Sequence, residues 1–173
     1  MSDLDDIERF PFYREPYVLV VPRGLREELE GQELAAIFEK HRRVRHSERS
    51  YVGGQVERHL SRSGLRPPRA FEFDTSDSLV AMVATGMGVA ITTPLCLLQG
   101  IAHASHVSVL PLPGPGFSRE PLLVTRRGYL VSLAPRIAEL ARAAIIQREL
   151  PRIHALVPWF SPPSSPAAPS MAR

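Results

Sequence analysis

Three short stretches carry the side chains that could do chemistry. Ser47, Arg49, Ser50 and Tyr51 stand where a short strand hands over to a helix, Thr75, Ser76 and Asp77 repeat that arrangement after Phe73, and Thr92 closes a third apolar run. Hydroxyls and a guanidinium placed beside helix starts, whose first amides have no intrahelical acceptor, make the chemistry of anion recognition. A plainer alternative stays open, in which Ser50 only caps its helix and Arg49 is a solvated surface charge. Catalysis is not indicated. There is no Gly-x-Ser-x-Gly elbow, and Asp74 and Asp77 read as a helix cap and a first-turn charge. The Gly86-x-Gly88 pair is too short for a dinucleotide fingerprint and follows a helix instead of opening one. His103 and His106 are three apart but lack a third ligand nearby. No enzyme activity, metal or cofactor is expected.

The elements that must position these residues are organised around Phe71 to Pro94. Phe71 and Phe73 flank Glu72 as in a strand, and Thr75 or Ser76 can cap a helix in which Leu79, Met82 and Val83 recur at i, i+3, i+4. Gly86 stands where a left-handed residue ends that helix, and Val89, Ala90 and Ile91 follow as a buried strand. A β-α-β unit of this kind makes the chain α/β, with its functional edge where strands end and helices begin. Tyr17 to Val21 is β-branched and stopped by Pro22, which predicts a central parallel strand. Leu34, Ile37 and Phe38 mark a helix ending near His41, and Val56 and Leu60 another, stopped by Gly64. Val107 to Leu110 and Leu122 to Thr125 are further strands, separated by a Pro/Gly-rich connection. The last helix runs from Ser132 or Ala134 to about Glu149, with Ile137, Leu140, Ala144 and Ile145 along one face. Residues 3–15 read as a docking loop.

Composition narrows the class. The chain has 173 residues and 44% hydrophobic content, enough for one ordinary domain with a core. Its net charge of +3 comes mainly from arginines spread through helices and loops, without aromatic interleaving, so a nucleic-acid surface is not expected. Cys96 is the single cysteine, which excludes an internal disulfide and fits a reducing compartment. No apolar run approaches the roughly 20 residues of a membrane span, and the start of the chain is acidic where a secretion signal would be basic. These features predict a cytoplasmic protein. Residues 151–173, rich in Pro, Ser and Ala, are expected to be a disordered tail.

The order of pieces, from a strand ending in Val-Val-Pro22 through RHSERSYVGGQVERHLSRSGL, FEFDTSDSLVAMVATGMGVAITTPLCLL and VLPLP to a returning LLVTRR strand and a closing helix, resembles the effector-binding region of LysR-type transcriptional regulators. The resemblance covers residues 8 to 148, and LVAMVATGMGVAI is its most specific part. It implies a fold like the type 2 periplasmic binding proteins: two α/β lobes joined by two crossing strands, with a small effector in the cleft. On that basis residues 1–21 form an N-terminal segment and first crossing, 22–112 a complete second lobe, and 113–150 the returning strand and helix of an incomplete first lobe. The effector would meet Ser47, Arg49, Ser50, Tyr51, Thr75, Ser76, Asp77, Met87 and Thr92, and Arg49 favours an anion. The family's N-terminal helix-turn-helix has no counterpart here, so the expectation is a truncated regulator without direct DNA contact. It would act as a homo-oligomer or with a full-length regulator. A solute-binding fragment of a transport system shares the fold and is the alternative; it would begin with a secretion signal.

Overall fold

The apolar β-branched runs become the middle of one sheet. In the computed structural model, which describes residues 6–161, Val18–Pro22 (β3) is buried at every position. It lies in a five-stranded sheet with Arg43–His46 (β4), Arg69–Phe73 (β5), Val89–Thr92 (β6) and Val107–Pro111 (β7), in the order β5-β4-β6-β3-β7. β4 is parallel to both β5 and β6. β3 is central but antiparallel to β6 and β7, which corrects the parallel expectation. Burial on both faces makes such a run apolar whatever its direction; here direction is set by the chain entering β3 at the edge where β6 ends, since Val18 pairs with Thr92.

Helices cover both faces. Tyr51–Arg62 (α3) packs with Arg26–Leu29 (α1) and Leu34–Lys40 (α2) on one side, where Tyr17, Leu19, Val21, Leu29, Ile37, Val56 and Leu60 form a core. Ser76–Ala84 (α4) covers the other, where Val18, Val20, Val44, Leu79, Val83 and Ala90 meet. Pro94–Gln99 (α5) follows β6. At the turn from α4 into β6, glycine is required twice. A Cβ on Gly88 would meet the backbone of Arg42, with the carbonyl carbon at 3.0 Å, and Gly86 holds φ +84°, as the left-handed end of α4 demands.

The segment around residues 3–15 is not a loop throughout. Ile7–Pro11 (β1) pairs antiparallel with Leu122–Arg126 (β9), and Glu15–Pro16 (β2) pairs with Ser118–Arg119 (β8), so two crossing chains run side by side out of the lobe. Residues 1–5 lie outside the described residues. Leu133–Ala144 (α6) packs on the β1–β9 ribbon through Ala134 and Ala138, both buried, while Leu133, Ile137 and Leu140 stay exposed.

The expectation of a disordered tail from residue 151 fails for residues 151–161. The helix of α6 continues through a π turn at Ile145–Glu149 into Leu150–Leu156 (α7). Pro151 has no N–H for the carbonyl of Gln147 and its ring crowds that turn, which accounts for the widened ladder. α7 then returns to the five-stranded lobe, where Ile153, Val157 and Phe160 enter the core with Val18, Val20 and Leu97. Residues 162–173 lie outside the described residues.

Candidate functional site

β5, β4 and β6 run parallel, so their C-terminal ends share one edge of the sheet, and each end feeds a helix start. Ser50 caps α3 by accepting from Gly53 N at 3.0 Å, Thr75 caps α4 from Ser78 N at 3.3 Å, and Thr93 caps α5 from Cys96 N at 3.4 Å. Backbone bonds tie the edge together: Ser47 N donates to Phe73 O, and Ser50 N to Ser47 O, each at 2.9 Å. The crossing strands pass this same edge, because β2 leads directly into β3 beside Thr92.

Most of the residues picked from sequence stand here, with different tasks. Ser47 is buried in the strand-to-helix turn, and Arg49 is exposed beside it with its amide 3.4 Å from Ser47 Oγ. Tyr51 projects from the first turn of α3, 66% exposed. Ser50 and Thr75 use their hydroxyls as caps, the plainer of the two readings for Ser50. Ser76 is buried at the start of α4, and Asp77 is exposed, its carboxylate 3.5 Å from His103 Nε2. Thr92 is fully buried, 2.8 Å from His46 Nε2. Met87 is placed elsewhere: the Gly86–Gly88 turn precedes β6, at the end of the strand opposite Thr92. Five residue steps of extended chain, about 16 Å, separate Met87 from Thr92, so the glycine turn lies at the opposite edge of the sheet from the strand ends of β5, β4 and β6.

Several residues at the edge have no motif to announce them. Tyr17 donates to Gln55 Oε1 at 2.5 Å, and Gln55 Nε2 donates to the Tyr51 hydroxyl at 2.9 Å, a relay from the core to the exposed ring. Phe117 stacks between Tyr17 and His59, with ring centroids 4.0 Å apart on each side, and so pins the returning crossing to the lobe. Glu15 is fully buried. Its Oε1 accepts from Arg119 Nε at 2.6 Å and its Oε2 from Leu95 N at 2.8 Å, so one carboxylate joins β2, β8 and the start of α5. Burial, with the Arg119 charge adding, holds His46 down to about 4, so its imidazole is neutral near pH 7. Beneath the 47–50 turn, the buried Arg45 bonds Glu48 at 2.8 Å and also pairs with Glu57 and Glu72, which links the turn, α3 and β5.

This edge offers the opening amides of α3, a nearby guanidinium, a phenol and an amide side chain, a set suited to binding a small polar or anionic molecule. Among the described residues, no three His, Cys, Asp or Glu side chains gather as a metal site, and no helix is long and apolar enough to cross a membrane.

A family model described as the LysR substrate binding domain matches residues 2–145. No curated protein matches the chain. Among solved structures, the effector binding domain of QuiR in complex with shikimate is similar at a TM-score of 0.63 and 17% identity, over 87% of this chain and 69% of that one. The Synechocystis PCC6803 CcmR regulatory domain in complex with 2-PG gives 0.64 and 16%, over 83% and 68%. The probable transcriptional regulator PA0477 from Pseudomonas aeruginosa gives 0.65 and 18%, and the chain spans 46% of its length. At these identities the likeness establishes the fold, that of the type 2 periplasmic binding proteins.

Proposed function

We propose that this chain, which belongs to the LysR substrate binding domain family, senses a small effector at the edge where β5, β4 and β6 end. Residues 22–112 are the effector-binding lobe on this reading, 1–21 and 113–150 supply the crossings and the second body, and 151–161 strap the two. The effector lies against the start of α3, with Ser47, Arg49, Ser50 and Tyr51 as one wall. The loop carrying Thr75, Ser76 and Asp77 forms a neighbouring wall. Thr92 acts from beneath by fixing His46, and Met87 takes no part. One observation carries this: three helix starts and both crossing strands converge on a single edge, where closing the crossings would change what the edge encloses. The small molecules in the QuiR and CcmR structures support an effector of that size.

The family is one of regulatory domains, and we read the chain as a non-enzymatic sensor acting in the cytoplasm, not as part of a transport system. DNA contact belongs, on this reading, to other parts of a LysR-type regulator. The exposed Leu133, Ile137 and Leu140 on α6 favour association with another copy or with a full-length regulator. The test is a thermal-shift screen of small carboxylates and phosphates, shikimate included. An anion that raises the melting temperature should bind Arg49→Ala roughly tenfold more weakly, a loss of about 1.4 kcal/mol. No stabilisation by any small anion would overturn the reading.

A further inference from the structure

The segment that sequence assigns to a tail instead roofs a second cavity. After α7 the chain is held by Val157 and Phe160 in the core and by Trp159 Nε1 donating to Val109 O at 3.3 Å. Between this strap, the outer strand β7 and the turn at Arg23–Leu25 lies a cavity of about 990 Å³. That volume falls at the upper end of the range for small-molecule sites. Its walls include Leu97, Val107, Leu156 and the half-exposed ring of Trp159. The rim carries Arg23, Arg26 and Glu27, a net single positive charge. Arg23 Nη1 donates to Ser105 O at 2.9 Å, which fixes the guanidinium across the mouth while leaving it further donors in the same plane. The cavity shares no residue with the turns at 47–51 and 74–77. It adjoins the start of β7 and the end of β3, away from the edge where β6 finishes.

We propose that this cavity is a second ligand site, for an amphipathic anion: an aromatic body lying against Trp159 and the apolar walls, with a carboxylate or sulfonate paired to Arg23. The apolar walls and the ring favour a flat hydrocarbon body. The guanidinium, with two donors available in a fork, favours a planar oxyanion over a neutral polar group.

Trp159 is the single tryptophan of the chain and lines this cavity, so its quenching reads occupancy, and the Arg23 and Ala104 variants assign that quenching to this cavity and not to the shallower pocket the ring also lines with Arg14, Glu15 and Ser118. The whole chain is titrated with 2-naphthoate, an acceptor for tryptophan emission, and with neutral 2-naphthamide. The expected result is saturable one-to-one quenching by naphthoate, weakened roughly fivefold or more in Arg23→Gln and in the amide series, and unchanged in Arg49→Gln. Ala104→Leu, which fills the cavity without altering charge, should weaken binding in the same way with the melting temperature preserved. That variant keeps the test decisive if Arg23→Gln folds poorly. Absence of saturation into the millimolar range, equal affinity in the Arg23 and Ala104 variants, or loss of the signal in Arg49→Gln would each overturn the assignment.

Discussion

Replacing Gly53 with alanine drives a methyl group into the backbone that shapes the candidate site. Gly53 is buried in the first turn of α3, and a Cβ built there falls inside contact distance of the Ser47 carbonyl, 2.8 Å from its carbon and 3.0 Å from His46 O. Ordinary contact begins near 3.4 Å, so going from 2.8 Å to 3.4 Å requires a retreat of at least 0.6 Å between the helix start and the strand end. Both sides are backbone, so no side chain can swing aside. Overpacking of this kind costs about 1–3 kcal/mol, more than the helix-propensity gain of about 1 kcal/mol for glycine to alanine. The neighbouring Gly54 is the internal control. A Cβ there meets only Arg58 Nη1 at 3.4 Å and Glu48 O at 3.6 Å, so Gly54→Ala should be neutral or stabilising by up to about 1 kcal/mol. Urea denaturation of the two variants measures the difference, and an anion found by thermal shift should bind Gly53→Ala more weakly. Gly53→Ala as stable as Gly54→Ala would refute the claim that α3 is seated directly on the Ser47 backbone.

Two further outcomes follow from the buried charges. His46 has a folded pKa of about 4, below its ordinary 6.5, so its contribution to stability is complete above pH 6.5 and is lost as pH falls through 4. The difference in unfolding free energy between the wild type and His46→Gln should therefore shrink across that interval by about 3 kcal/mol, read from urea denaturation at each pH. Glu15→Gln should destabilise by about 3 kcal/mol by leaving the Arg119 guanidinium without its carboxylate. The same change should speed amide exchange at Leu95 and along β2 and β8, since it loosens the joint between the crossings and the lobe.

How much of this was legible in the sequence varies by element. The β-α-β unit was readable because an apolar helix running into Gly86 leaves few alternatives, and the left-handed φ there is a backbone requirement that glycine meets. β3 was recognisable as central, but its direction depends on pairing with Thr92 and Leu110, distant residues that periodicity cannot reveal. The strap has a faint signal in the sequence: Ile153, Val157 and Phe160 recur at i, i+4, i+7, a helical stripe overshadowed by Pro151 and Pro158. The position of Arg49, Tyr51 and Thr75 at strand-to-helix turns is legible because such turns concentrate hydroxyls and charges. Met87 and its glycine neighbours serve the turn at the other end of β6, a position that sequence spacing alone does not distinguish from the edge at Thr92. Glu15 and Arg119 carry no local pattern at all. Their pairing across two crossing chains exists only once the lobe has folded.

The central claim, that the edge shared by β5, β4 and β6 receives the effector, is tested most directly by mapping amide chemical shifts while the chain is titrated with the carboxylate or phosphate that stabilises it most. The account predicts saturable shifts in Ser47 to Val52, in Thr75 to Asp77 and in the crossing residues Glu15 and Arg119, with Met87 and its glycine neighbours unmoved. Shifts confined to the Gly86–Gly88 turn or to α6, with residues 47–52 unchanged, would contradict it.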